Sequence, residues 1–223
     1  MVRTIFFDFD GVIVESVDIK TRAFAKLFEH EGEGIVRKVV SYHLENAGVS
    51  RYEKFRDIYK EILKRFLSDE EFEMLCKKFA ASVMDGVIKA PYVEGAKEFL
   101  ENYSQAYKCF VVSATPQEEI EGIIQKRHIR HFFKAVYGAP AKKNDVVKTI
   151  LVKENIDPCN AVYVGDAMSD YLAAKENRVA FIARVTNDNN SLFKDLGCIK
   201  LNSLVDLEDI INSIGCQMEK NLG

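Results

Sequence analysis

Apolar runs of four to seven residues recur along this chain, and they narrow its folding options more than any other feature. They read TIFFDF (4–9), KCFVVSA (108–114), NAVYVGD (160–166) and AFIARV (180–185), with a shorter AVYG at 135–138. A strand with one wet face alternates apolar and polar residues. Runs that are apolar nearly throughout belong to strands covered on both faces, as in a parallel sheet. Between the later runs lie helix-period segments at 94–103, 116–127, 143–155 and 168–177. Strand alternating with helix predicts an α/β fold, a doubly wound parallel sheet with helices on both faces.

The interval 16–88 breaks that rhythm. It holds no convincing strand and reads as four amphipathic helices, at 17–31, 34–46, 51–66 and 69–84. In YEKFRDIYKEILKRFL the spacing puts Phe55, Ile58, Tyr59, Ile62, Leu63 and Phe66 on one stripe, which predicts a core-facing helix. The expected organisation is therefore an α/β core domain of residues 1–15 and 89–223, interrupted by an inserted helical domain of residues 16–88. The crossings fall near 15–17 and 86–92, where DGVIKAPYVEG supplies glycine and proline.

Composition excludes several function classes. The 223 residues carry a formal net charge of −3 and no polybasic run, which argues against a nucleic-acid binder. No stretch approaches the roughly 18 apolar residues of a membrane span. The amino-terminal apolar run is broken by Asp8 too soon for a signal-peptide core, so a soluble, cytoplasmic protein is expected. Cys76, Cys109, Cys159, Cys198 and Cys216 are widely spaced with no CxxC, the pattern of free thiols in a reducing compartment. His128 and His131 have a metal-compatible spacing but no partner pair, and are expected at a partly exposed helix end.

The strand ends carry the chemistry. Asp8 and Asp10 lie two apart, so in a strand they face the same side. At the carboxyl end of a parallel strand they would enter the crevice where α/β folds bind ligands. Alone, DFDG reads equally well as a helix-capping or loop pair. A second pair shifts the balance: VYVGDAMSD places Asp166 straight after an apolar run and Asp170 four residues later, in the first turn of a helix. Carboxylates converging without His or Cys point to a hard cation, Mg²⁺ rather than zinc. Ser113 ends a third run, and Thr115 with the following helix start offers donors to an anion. Lys142 and Lys143 precede a helix, where a lysine can neutralise both a carboxylate and a phosphate.

Taken in order, DFDGV, FVVSAT, the lysine of GAPAKK and VGDAMSD resemble the four motifs of the haloacid dehalogenase superfamily, across essentially the whole chain. The helical insert resembles that family's cap of the first type. The resemblance implies that Asp8 is a nucleophile forming an aspartyl-phosphate and that Asp10 is the general acid and base. It implies Mg²⁺ held by Asp8, the main-chain carbonyl of Asp10 and Asp166, with Asp170 close by. It further implies phosphoryl contacts from Ser113, Ala114 and Thr115, and from Lys143, five residues after Gly138. With Asp10 present, phosphoryl transfer rather than dehalogenation is expected.

In the insert, GVSR (48–51) resembles the cap loop of the β-phosphoglucomutase group, which makes Arg51 and then Lys54 the candidate substrate contacts. The same stretch reads as a helix start, with Ser50 and Glu53 as a capping box that leaves Arg51 exposed. Lys20 stands where the mutases carry histidine, and VES (14–16) departs from the usual Asp-Ser or Asp-Thr. The resulting expectation is a Mg²⁺-dependent phosphatase of a small phosphorylated metabolite, similar to phosphoglycolate phosphatases, monomeric or homodimeric. A sugar phosphomutase is the alternative, and a receiver-like phospho-acceptor module is a third reading that chain length and motif order disfavour.

Overall fold

A computed structural model describes residues 1–220 of the chain, with side chains described through residue 214. The apolar runs form strands β1 (Thr4–Phe7), β2 (Lys108–Pro116), β3 (Ala135–Ala139), β4 (Ala161–Gly165) and β5 (Ala180–Arg184), joined by a short β6 (Ile199–Leu201). They make one all-parallel sheet in the order β3-β2-β1-β4-β5-β6. β1 is central, so whatever follows it sits between the ends of β2 and β4.

Both faces of the sheet are buried, which is why the runs lack polar alternation. Phe6 lies in register with Phe110 and Tyr163. Their rings stack at centroid distances of 5.7 and 6.1 Å, under helices α7 (Lys143–Lys153) and α8 (Met168–Glu176). The neighbouring Ile5 and Phe7 face the other side, with Val111 and Val164, under α5 (Ala96–Tyr103), α6 (Gln117–Lys126) and α9 (Leu207–Lys220). Truncating a ring as buried as Phe6 costs about 3–5 kcal/mol.

The insert is built from α1 (Val17–Leu27), α2 (Glu33–Glu45), α3 (Arg51–Asp57) and α4 (Asp69–Lys89). Its core is aromatic: Phe24 lies 5.5 Å from Phe55 and 4.7 Å from Phe79, centroid to centroid. Ser50 caps α3 by accepting the Glu53 N–H, and Ser68 caps α4 by accepting that of Glu71. The two crossings run side by side: Glu15 N–H donates to Pro91 O at 2.9 Å and Val93 N–H to Ile13 O at 3.1 Å.

Four expectations are corrected. The helix expected over 51–66 breaks into α3 and a wider-turn segment, Ile58–Leu63, which ends at Lys64 with φ 53°. That left-handed residue throws Phe66 off the stripe, and it is 88% exposed rather than core. The helix expected to end at 84 runs through Gly86 to Lys89, because Val83 and Val87 are buried on one face. Pro91 stops it, since the residue before a proline is driven out of the helical region, and Ala90 has ψ 140°. Arg127 then donates to the Val87, Ile88 and Ala90 carbonyls at the helix end. Third, β6 and α9 were not expected. β6 is only three residues long, although the spacing of Leu207, Ile211 and Ile214 is helical. Fourth, Arg51 is buried instead of exposed.

Cys76, Cys109, Cys159 and Cys198 are free, and the Cys216 side chain lies outside the described residues. His128 and His131 are exposed beyond the end of α6. Among the described residues no helix is long and apolar enough to cross a membrane.

Candidate active site

The carboxyl ends of β1, β2 and β4 converge, and the acids singled out in the sequence lie there together. Asp8 follows β1 directly and keeps its pairing with β4, its N–H donating to Val164 O at 3.0 Å. Asp166 follows β4. One carboxylate oxygen from each of Asp8, Asp166 and Asp170 falls within 4.8 Å of the others. Gly11, at φ 78°, allows the approach: a Cβ there would collide with the Asp166 carboxylate.

Lys143 is the ammonium of this cluster. Its Nζ donates to Asp8 Oδ2 at 2.8 Å and to Asp170 Oδ1 at 2.7 Å. Lys142, one residue earlier, is exposed, so of the two lysines it is Lys143 that reaches the acids. Asp170 lies in the first turn of α8 and is 0% exposed. Its Oδ2 accepts the Ala167 N–H at 3.1 Å, and its Oδ1 accepts the Tyr163 hydroxyl at 2.8 Å. Tyr163 is a residue the sequence reading missed, because a tyrosine inside an apolar strand looks only like core.

Three buried carboxylates face one ammonium, so the cluster is short of positive charge. Burial raises the Asp8 carboxyl to about 7, Lys143 opposing and Asp170 and Asp10 adding to the rise. Burial and then the charges of Asp8 and Asp170 raise Asp166 well above the ordinary carboxylate value. The Asp166 carboxylate accepts no hydrogen bond from a described residue and borders the cavity described below. All-oxygen donors, an uncompensated charge and an unpartnered carboxylate fit a hard divalent cation such as Mg²⁺.

Asp10 is treated differently. Its Oδ1 accepts the Ser16 hydroxyl at 2.6 Å, and its Oδ2 accepts Lys20 Nζ and the Thr115 hydroxyl, the latter at 3.0 Å. Burial pushes its proton affinity up, but the Lys20 charge and the hydrogen bonds from Lys20, Ser16 and Thr115 outweigh it, and the carboxyl sits below its usual value. Lys20 also donates to Thr115 at 2.8 Å, a role its position in the sequence did not disclose. Ser113 is buried and accepts the Thr115 N–H at 3.1 Å; it donates to no described residue, so its hydroxyl proton is available to a ligand. Ala114 and Thr115 line the cavity.

The insert closes over this end of the sheet. Between them lies a cavity of about 70 Å³, with Asp8, Asp10 and Asp166 from the core and Lys20, Arg51 and Lys54 from the insert. Gly48, at φ 75°, brings the insert against the core: a Cβ there would collide with the Ser169 hydroxyl. Arg51 is held by Glu119 of α6 through two contacts, at 3.2 and 2.5 Å. Lys54 donates to His43 Nδ1 at 2.9 Å and to the His43 carbonyl at 3.2 Å. Sequence reading had no signal for Glu119 or His43, each one polar residue among many on an amphipathic helix.

Known proteins share this arrangement of the chain. A phosphoglycolate phosphatase of Pseudomonas fluorescens is 24% identical over 204 residues, covering 81% of this chain and 68% of that protein. A β-phosphoglucomutase of Clostridium difficile superposes with a TM-score of 0.79 at 18% identity, over 98% of this chain and 99% of the other. The HAD-hydrolase YfnB of Bacillus subtilis, bound to magnesium, superposes with a TM-score of 0.68 at 15% identity, over 95% and 99% of the two chains. The family model described as haloacid dehalogenase-like hydrolase matches residues 5–184. With most of its length matched, and with its acids, serine and lysine gathered at one end of the sheet, the chain belongs to the haloacid dehalogenase-like hydrolase family.

Proposed function

We propose that this protein is a Mg²⁺-dependent phosphatase that hydrolyses a small phosphorylated metabolite through an aspartyl-phosphate on Asp8. The observation that carries the reading is Lys143, bonded at once to Asp8 and Asp170, with the Asp166 carboxylate beside them unpartnered among the described residues. Asp8, the Asp10 carbonyl and Asp166, with Asp170 adjacent, would hold the ion. When bound, Mg²⁺ supplies positive charge against the phosphoryl oxygens and the attacking carboxylate. A magnesium-bound relative of the same fold and a phosphatase among the similar proteins support the reading.

The residues divide the work. A carboxylate oxygen of Asp8 attacks phosphorus as the bond from phosphorus to the leaving oxygen breaks. Lys143 keeps Asp8 oriented and, with Ser113, meets the charge developing on the phosphoryl oxygens. In the resting site Lys20, Ser16 and Thr115 hold Asp10 as a carboxylate. An arriving phosphate dianion raises its proton affinity, so Asp10 takes up a proton and delivers it to the leaving oxygen. It then accepts a proton from water, whose oxygen attacks phosphorus and releases orthophosphate, restoring Asp8. The helical cap, residues 16–88, keeps bulk water from this sequence while closed.

The test is a phosphate-release screen over phosphorylated metabolites with Mg²⁺. Turnover lost in Asp8→Asn is expected; equal activity in both proteins would overturn the nucleophile. Isomerisation of hexose 1-phosphates without phosphate release would instead identify a mutase.

A further inference from the structure

Three cations line the cavity, and they differ in their partners. Lys20 is paired with Asp10, and Arg51 with Glu119. Among the described residues Lys54 has no carboxylate partner, only the ring nitrogen and carbonyl of His43. The Arg51 pair is a built feature. Both terminal nitrogens face both carboxylate oxygens, the side chain is 5% exposed, and its guanidinium lies 4.5 Å over the Phe79 ring. Such a fork is the geometry by which arginine grips a phosphate or a carboxylate. Glu119 reaches it from the core, on the opposite side of the cleft from α3, and does not itself line the cavity.

We propose that Glu119 is a specificity-determining residue: by occupying Arg51 it withholds a second phosphate site and leaves Lys54 as the cation that reads the far end of the substrate. The site then takes short phosphomonoesters ending in a single carboxylate and disfavours those ending in a second phosphate. This rests on the phosphatase reading and names the substrate class within it. Two further observations fit. The cavity is small, and apart from its cations and His43 its insert side is apolar, with Phe24, Leu44, Val49 and Phe79. A buried ammonium without a counter-charge is costly, and an incoming anion relieves that cost. Burial, followed by the charges of Lys20 and Lys143, brings Lys54 down to about 7.

The experiment uses three compounds on one three-carbon skeleton: the alkyl phosphate, the same chain ending in a carboxylate, and the same chain ending in a second phosphate. KM and kcat are measured for the wild type, Glu119→Gln and the double variant Arg51→Met with Glu119→Met. The wild type should show its lowest KM with the carboxylate-ended compound and its highest with the bisphosphate. Glu119→Gln should lower KM for the bisphosphate by about tenfold relative to the alkyl phosphate, the scale of one charge-assisted contact. The double variant, which frees no arginine, should not. A merely structural role for Glu119 would move all three compounds together, and that result overturns the proposal. Should Glu119→Gln not fold, the wild type decides, because a bisphosphate KM no higher than that of the alkyl phosphate is equally fatal. Failure of the wild type to turn over any of the three counts against the phosphatase reading alone. Selectivity is then read from the rise in melting temperature with each compound, where the same orders support or overturn it.

Discussion

Lys143 and Lys54 are buried almost equally, 7% and 3% exposed, and they show how little burial by itself says about a charge. Lys143 ends in the α/β core between two carboxylates, which outweigh desolvation and raise its proton affinity above that of a free lysine. Lys54 ends in the cap against a neutral imidazole. Burial lowers His43 to about 2, so its ring stays uncharged and accepts the lysine proton at Nδ1. Desolvation, with the charges of Lys20 and Lys143 added to it, outweighs the opposing pull of Asp166 and Asp10, and Lys54 falls to about 7. One lysine is a fixed part of the resting site. The other meets no paired carboxylate among the described residues.

The comparison can be broken most sharply at Lys143. Lys143→Met leaves Asp8 and Asp170 facing each other without a cation, and phosphate release should drop roughly a hundred- to a thousandfold. Urea unfolding should register a loss of about 3–5 kcal/mol, the cost of stripping one partner from a buried pair. Lys54→Met should do the reverse and stabilise the protein. Between pH 10.5 and 7 the unfolded lysine holds a proton that the folded one has lost. Its cost to stability therefore grows as pH falls through that window and levels off below 7. The gain from Lys54→Met should be largest near pH 7, with a ceiling of about 5 kcal/mol at about 1.4 kcal/mol per pH unit, and should vanish by pH 10.5. A gain independent of pH in thermal melts would show that Lys54 is not desolvated as described.

Magnesium gives a finer distinction. Millimolar Mg²⁺ should raise the melting temperature by roughly 2–4 °C for each kcal/mol of binding, and Asp166→Asn should abolish the rise. Lys143→Met should enlarge it, since the ion then becomes the sole compensation for the acids, whereas Lys54→Met should leave it unchanged. The smallest effect is expected at Phe66. It lies outside the cap core, so Phe66→Ser should shift stability by no more than about 0.5 kcal/mol, against about 3–5 kcal/mol for Phe55→Ala.

Much of the architecture was legible because its signals are local. Strands covered on both faces leave unbroken apolar runs, and helices leave a 3.6-residue stripe, so the sheet and the cap helices could be placed from spacing. The misreadings have local causes as well. Phe66 kept the period of its helix, but one left-handed residue at Lys64 ended the period before it arrived. α4 passed Gly86 because packing on Val83 and Val87 outweighed a single unfavourable residue. The positions of Asp8, Asp10, Asp166 and Asp170 were readable because each follows an apolar run or opens a helix. Apart from Lys143, their partners were not: Lys20 and Tyr163, like Glu119 beside Arg51, look like ordinary members of a helix or strand.

By itself, the sequence determined that the chain would bury a parallel sheet, interrupt it with helices and bring acids to the ends of its strands. Those features follow from the nature and spacing of neighbouring residues. Only the tertiary structure decided which charge meets which. Lys143 finds Asp8 across 135 residues, and Arg51 finds Glu119 across 68. Such pairings depend on how separate elements pack, and no local period encodes them. Whether a buried lysine is compensated or left waiting is settled at that level, by the groups that packing sets beside it.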